Sequence, residues 1–268
     1  MKWFLPISAG RCFSGLDFLQ LALRVSPLML PRRFGEFEPP KYQMPQDQQQ
    51  FCDMWPDRAE DFPRGGYFYW TTERPCFMGS LSHATRLPGE NGVECLRLTA
   101  SWDLRKRESD ELAMDDLVEV FSHIAANARA FYAVGYVLRG VVAGRRPTYD
   151  ALSEDQPLPK SATWVGPPAQ ATWLTWLGRP YRDLMRDSAP QWARDERDQG
   201  LLIRLGRFPQ DRDQLAPLNV RWPEHLVARP PVQVLSGPIQ FKHKGKTVQI
   251  PAVLGPSQAA DHIPDLTA

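Results

Sequence analysis

Net charge, cysteine and histidine are all scarce in this sequence. Across 268 residues, 32 Lys and Arg are balanced by 31 Asp and Glu, which leaves a formal net charge of +1. Binding to nucleic acid or anionic lipid draws on a strong positive field, so this balance argues against a nucleic-acid or membrane-binding protein. The four cysteines and five histidines are widely spaced. Without a CxxC motif or a nearby histidine, the cysteines are predicted to be buried free thiols rather than zinc ligands.

The chain also lacks a long apolar run. The longest, residues 16–30, contains charged residues and Pro27, which excludes a membrane-spanning helix there. The apolar start of the chain is interrupted by Pro6 and Gly10 and is too short for the core of a signal peptide. We therefore expect a cytoplasmic protein.

Motifs of catalytic and nucleotide-binding sites are missing as well. Neither of the glycine-rich phosphate loops, GxxxxGKS/T and GxGxxG, occurs. Ser80 and His83 are close in sequence, but no GxSxG motif surrounds the serine. No lysine follows an acidic residue by two positions, so the acidic-x-Lys triplet of one class of nucleases is absent. We predict no catalytic residue, no metal ligand and no cofactor, although a dispersed histidine or carboxylate site of a hydrolase stays open.

Apolar spacing predicts an α+β fold, in which an antiparallel sheet is covered by helices. Leu96, Leu98 and Ala100 alternate with polar residues, which is typical of a strand. Together with the aromatic segment 67–71, this alternation predicts an antiparallel meander over residues 65–102.

Two helices are predicted from apolar residues that recur every three or four positions. The first follows Ser14, a suitable N-cap, and is expected to bury Phe18 and Leu21. The second begins near Ser109 and is expected to bury a stripe that includes Phe121.

The second half of the chain is predicted to form a further lobe. The polar, proline-containing segment 150–161 separates residues 1–145 from residues 146–268. We interpret these as two α+β lobes that pack against each other, with one continuous domain as the alternative. Residues 172–177 are predicted to be helical, with Gly178 at the end of the helix.

Three shorter segments have a simple interpretation. Residues 31–45 are rich in proline and are predicted to be an extended connector without regular structure. Residues 200–208 are predicted to contain a short strand. Lys244-Gly245 predicts the tight turn of a hairpin between residues 239–243 and 246–250.

The best candidate site is a group of acidic residues in the second predicted helix. Asp115 and Glu119 are four residues apart and lie away from the buried stripe. One interpretation is a solvated helix face whose carboxylates favour the positive end of the helix. The other is a surface that meets a basic partner, to which the acidic residues of the connector would also belong. On this second interpretation, the partner-binding residues are Asp110, Glu111, Asp115, Asp116, Glu119, Glu36 and Glu38.

Three segments of the chain resemble a known family. They are Arg-Arg-Phe-Gly-Glu-Phe-Glu-Pro-Pro at residues 32–40, the aromatic strand at 67–71, and Thr-Trp-Leu-Thr-Trp-Leu-Gly-Arg-Pro-Tyr at 172–181. Together they are similar to bacterial immunity proteins of polymorphic-toxin and type VI secretion systems, most of all to the immunity protein 52 family. The matching positions are aromatic, glycine and proline residues, so the resemblance transfers no residue that contacts a toxin.

The resemblance implies an antitoxin that binds and neutralises a cognate toxin in the cytoplasm. For that family, the implied partner resembles a nuclease of the restriction-endonuclease fold, which would supply a basic surface. Neutralisation would be a stoichiometric occlusion of the toxin, and the protein itself would not be an enzyme. Two other functions stay open: a hydrolase with its site between the two lobes, and an adaptor of the secretion machinery.

Overall fold

The computed structural model describes residues 1–6, 15–45, 47, 50–51, 67–73, 76–84, 93–102, 107–138, 141–143, 146–148, 166–179, 181–224, 226–227, 238–243 and 246–251. Within these ranges the chain forms one ten-stranded antiparallel sheet, two separate hairpins and four α-helices. The predicted α+β class is confirmed.

The strands and helices are numbered in chain order. The main sheet contains β1 (Lys2–Pro6), β2 (Arg33–Gly35), β3 (Tyr42–Gln43), β4 (Tyr67–Thr71), β5 (Cys76–Ala84), β6 (Val93–Trp102), β7 (Tyr132–Gly135), β10 (Leu174–Leu177), β11 (Arg194–Arg197) and β12 (Gly200–Arg204). The separate hairpins pair β8 (Val141–Ala143) with β9 (Arg146–Thr148) and β13 (Pro238–His243) with β14 (Lys246–Pro251). The helices are α1 (Gly15–Val25), α2 (Arg107–Asn127), α3 (Tyr181–Met185) and α4 (Arg212–Leu215).

The main sheet runs in the order β11-β12-β10-β7-β1-β6-β5-β4-β2-β3. The meander predicted for residues 65–102 is confirmed as the antiparallel strands β4, β5 and β6. β1 lies in the middle of the sheet, between β6 and β7. Because β7 pairs with β10, the main sheet contains strands from both sides of the boundary predicted between residues 145 and 146.

Helices α1 and α2 cover one face of the main sheet with an aromatic core. Phe18 of α1 packs on Trp70 of β4, with ring centroids 4.8 Å apart. The indole N–H of Trp3 in β1 donates to the backbone oxygen of Phe121 in α2 at 3.0 Å. All four side chains are buried, which confirms the stripes predicted for both helices. Removal of this apolar surface from water is the main force that holds the helices on the sheet.

Residues 174–177 form a strand, so the helix predicted for this segment is wrong. β10 lies between β7 and β12, and all four of its residues are buried. A central strand that is covered on both faces has a continuous apolar sequence, and periodicity alone does not distinguish it from a buried helix. Pairing with strands remote in sequence decides the conformation here.

The connector predicted for residues 31–45 contains two short strands, so the expectation of no regular structure is wrong. β2 pairs with β4 on one side and with β3 on the other. Phe34 of β2 is fully buried and stacks on Phe68, with ring centroids 5.9 Å apart. This packing places the proline-rich segment at the edge of the sheet, where short strands tolerate flanking prolines.

Several smaller predictions also have an outcome. The strand at β12 and the β13–β14 hairpin are confirmed, and Cys76 and Cys95 are buried free thiols. Cys12, Cys52 and the segment 150–161 lie outside the described residues. None of the described helices combines the length and the apolar character needed to cross a bilayer.

Candidate functional site

Helix α2 carries acidic residues at four-residue intervals, namely Glu111, Asp115 and Glu119. At 3.6 residues per turn, these positions follow one another along a single side of a helix. The three side chains are partly exposed, whereas Met114 and Leu117 between them are buried. The three carboxylates therefore lie along the flank of α2, at the border between its buried face and its exposed face.

Each of these carboxylates contacts an arginine of β11, of β12 or of the segment that follows β12. The pair between Arg197 and Glu119 is bidentate, with hydrogen bonds of 2.8 and 3.4 Å. The guanidinium of Arg204 donates to the Asp115 carboxylate at 2.7 Å. We call the three pairs the acid–arginine ladder: Glu111–Arg207 at 2.8 Å, Asp115–Arg204 at 2.7 Å and Glu119–Arg197 at 2.8 Å.

Neighbouring groups also contact two of the three arginines of the ladder, Arg197 and Arg204. Arg204 donates to the backbone oxygens of Gly206 at 3.1 Å and Arg207 at 2.7 Å. Arg197 also donates to Asp195 at 2.9 Å. Burial lowers the pKa of the Arg197 guanidinium, but the hydrogen bond and charge of Glu119, together with Asp195, outweigh burial and raise its pKa. Arg197 and Arg204 are thus oriented both by the carboxylates of α2 and by groups next to them in the chain.

His123 continues the line of the ladder by one more turn of α2. Its Nε2 lies 4.0 Å from a Glu119 carboxylate oxygen, and its Nδ1 lies 3.4 Å from an Arg24 nitrogen of α1. The ladder and this histidine together connect α1, α2 and the β11–β12 hairpin. Within the chain, the acidic side of α2 therefore already has a basic partner.

The remaining acidic residues predicted in α2 are placed differently. Asp116 is partly exposed; burial raises the pKa of its carboxyl, the Ser26 hydroxyl opposes the shift, and the Asp115 charge adds to it. The backbone of Asp110 belongs to the first turns of α2, but its side chain lies outside the described part of the chain.

Glu36 and Glu38 lie in the turn between β2 and β3, residues 36–41, which we call the β2–β3 turn. Phe37 between them is 70% exposed. The turn is narrow, because a Cβ atom at Gly35 would lie 3.3 Å from the backbone nitrogen of Lys41. The β2–β3 turn therefore presents an aromatic side chain between two carboxylates at the edge of the sheet.

The predicted acidic residues do not form one surface. The β2–β3 turn follows β2, and the ladder is joined to β12, which is seven positions away in the strand order. At about 4.8 Å per strand, this corresponds to roughly 33 Å along the sheet. The sequence-predicted site is divided into an internally paired group on α2 and a separate turn at the opposite edge.

Exposed aromatic side chains are the site features that sequence reasoning missed. Phe37, Tyr42 and Trp192 are 70%, 47% and 65% exposed. Tyr42 packs partly on Phe34, with ring centroids 5.6 Å apart. The usable signal was that Phe37 has a glutamate on each side, whereas Phe34, which is buried in the same segment, has an arginine and a glycine.

The described residues contain no group of three or more His, Cys, Asp or Glu side chains placed to hold a metal ion. The chain matches no protein-family model, and neither a curated protein nor a solved structure is found to be similar to it.

Proposed function

We propose that the chain is an immunity protein, an antitoxin that binds a cognate secreted toxin in the cytoplasm and neutralises it by stoichiometric occlusion. The observation that carries the proposal is the β2–β3 turn, in which the exposed Phe37 stands between Glu36 and Glu38. The resemblance of residues 32–40 to immunity proteins falls on this same turn.

The chemistry of the turn suits a basic protein surface. An exposed aromatic ring gains free energy when a partner pocket covers it, and such residues dominate many interfaces. Carboxylates on either side speed association with a positively charged partner and disfavour acidic ones. A nuclease that binds nucleic acid presents a basic surface of this kind.

The shape of the turn also favours binding. Pro39 and Pro40 restrict the backbone next to Glu38, and Pro40 is buried while Phe37 and Glu38 are exposed. A loop whose backbone is already restricted loses less conformational entropy when it binds. The aromatic anchor is thus presented on a short turn attached to the main sheet.

The acid–arginine ladder has a supporting role in this proposal. Its carboxylates are neutralised within the chain, so a partner would have to compete with Arg197 and Arg204 for them. The ladder instead joins α2 to the β11–β12 hairpin, at the edge of the sheet opposite the turn. An interface of about 1,600 Å², which is typical of tight inhibitors, would extend beyond the turn onto neighbouring strands.

The test is copurification with the product of the neighbouring gene, followed by an assay of nuclease activity. We expect a stable complex of equal stoichiometry in which nuclease activity is lost. Absence of association, together with turnover of a small substrate by the chain alone, would favour the hydrolase. Association with sheath or spike proteins instead would favour the adaptor.

Matched variants locate the interface. Phe37→Ala is expected to weaken toxin binding about 30-fold or more, because an anchor residue contributes on the order of 2 kcal/mol. Glu38→Lys is expected to slow association, most strongly at low salt. Trp192→Ala and Asp198→Lys are the controls, because they likewise remove an exposed aromatic ring and reverse an exposed negative charge, but near the opposite edge of the sheet. Both should leave toxin binding unchanged. The reverse pattern would move the interface to the β11 edge and refute the role of the turn.

A further inference from the structure

A cavity of about 370 Å³ lies between residues 168–172 and residues 210–221. The two walls are joined by backbone pairing. Gln170 and Arg221 form an antiparallel bridge, and the Ala171 amide donates to the Val220 oxygen at 3.1 Å. Backbone contacts therefore hold the two walls of the cavity together.

Helix α4 completes one wall and has its own stabilising cap. The Asp211 carboxylate accepts from the Gln214 backbone at 2.9 Å, and the Gln214 side chain accepts from the Asp211 backbone at 3.0 Å. This reciprocal capping box holds the first turn of α4. Leu215 at the end of the helix is buried and lines the cavity.

The lining of the cavity combines apolar and cationic groups. Leu205, Leu215 and Val220 provide apolar surface, and Arg212 and Arg221 provide positive charge. Among the described residues that line it, none is acidic. A site of this composition favours a ligand with an anionic group at one end and an apolar body at the other.

Tyr136 adds a hydrogen-bond donor to the same lining. Burial raises the pKa of its hydroxyl to about 12; the charge of Arg97 lowers the pKa and that of Cys95 raises it, and both effects are smaller than that of burial. The phenol therefore keeps its proton at neutral pH and adds no negative charge to the lining.

We propose that this cavity binds a small amphipathic carboxylate, whose oxygens contact Arg221 and Arg212 and whose apolar chain packs on Leu205, Leu215 and Val220. The volume of the cavity is at the lower end of the range for small-molecule sites, about 300–1,000 Å³, which suits a small ligand with a short apolar chain. The site is separate from the β2–β3 turn and does not depend on the function proposed for that turn.

Calorimetric titration of the chain alone tests the proposal, with octanoate as the probe. We expect a saturable heat with a Kd below about 1 mM, and no comparable binding of octylamine or of inorganic phosphate. Equal binding of octylamine would show that charge does not select the ligand. Equal binding of phosphate would show that the apolar lining contributes nothing. Either result, or no heat with octanoate, would overturn the proposal.

Variants place the probe in the cavity. Arg221→Ala is expected to weaken octanoate binding about tenfold, because an exposed guanidinium contributes one charge-assisted hydrogen bond. Ala169→Trp fills the cavity from an exposed lining position and should abolish binding. Arg33→Ala removes an exposed arginine of β2 and should have no effect. Thermal unfolding of each variant confirms folding, and unchanged binding by the first two variants would place octanoate elsewhere and refute the site.

Discussion

Exchanging the charges of Arg197 and Glu119 tests whether the acidic side of α2 is a structural element or a surface reserved for a partner. The two side chains form a bidentate pair at 2.8 and 3.4 Å and are 35% and 39% exposed. Glu119→Arg or Arg197→Glu alone replaces this attraction by a like-charge contact. The double variant, Glu119→Arg with Arg197→Glu, restores opposite charges.

The expected magnitude follows from the exposure of the pair. A bidentate, partly exposed pair contributes about 1 kcal/mol after solvent screening, and a like-charge contact at the same distance costs a similar amount. Each single reversal should therefore lower the free energy of unfolding by about 2 kcal/mol. The double variant should return to within about 1 kcal/mol of the parent. Restoration is incomplete because a glutamate at position 197 would face Asp195, which now binds Arg197.

Urea unfolding at low and high salt provides the measurement. The coupling between the two positions should shrink in 1 M NaCl, a condition under which the Debye length is about 3 Å. If the two single effects add to within about 0.5 kcal/mol in the double variant, the positions are not coupled and the structural role is refuted. Toxin binding offers a second comparison, since the double variant should bind as the parent does.

Two further predictions concern close packing and burial. Gly178→Ala should destabilise the fold by about 3 kcal/mol, because a Cβ atom there would lie 2.2 Å from the backbone oxygen of Ala130. Gly135→Ala should cost clearly less in the same urea titration, because its nearest contact, the Leu174 Cβ, lies at 3.0 Å; equal costs would contradict this. Burial, reinforced by the charge of a neighbouring arginine, lowers the pKa of Lys2 from 10.5 to about 8. Between these pH values the unfolded chain binds a proton at Lys2 that the folded chain does not, so Lys2 contributes a rise in stability from pH 8 to 10.5, by up to about 3 kcal/mol. The buried Cys76 thiol, whose pKa burial raises from 9.0 to about 12, acts in the opposite direction, so the contribution of Lys2 is measured as the difference between the parent and Lys2→Met. Lys2→Met should lose this rise, and parallel pH profiles of parent and variant would refute it.

Short-range patterns determined much of the fold. The apolar stripe that includes Phe121 predicted α2, and the alternation at Leu96 and Leu98 predicted β6. Each element buries one face only, so its apolar residues recur with the period of a helix, about 3.6 residues, or of a strand, about two residues. β10 was missed for the opposite reason. Its residues are buried on both faces, so no period distinguishes strand from helix, and pairing with β7 and β12 decides between them.

The candidate site, too, could be predicted from the sequence only in part. The acidic residues of α2 could be identified from sequence as one side of a helix, but their partners could not. Arg197 is 78 residues from Glu119, and Arg204 is 89 residues from Asp115. Local spacing carries no information about which remote arginine faces a carboxylate.

By itself, the sequence determined the α+β class, the two main helices, the central meander and the position of the acidic groups. These features depend on local periodicity, turn residues and charge, which act within one element. The tertiary structure alone decided that β10 is a strand, that the carboxylates of α2 are paired within the chain, and that Phe37 is presented at the opposite edge. Those outcomes depend on contacts between segments far apart in the chain, and such contacts form only when the sheet brings the segments together.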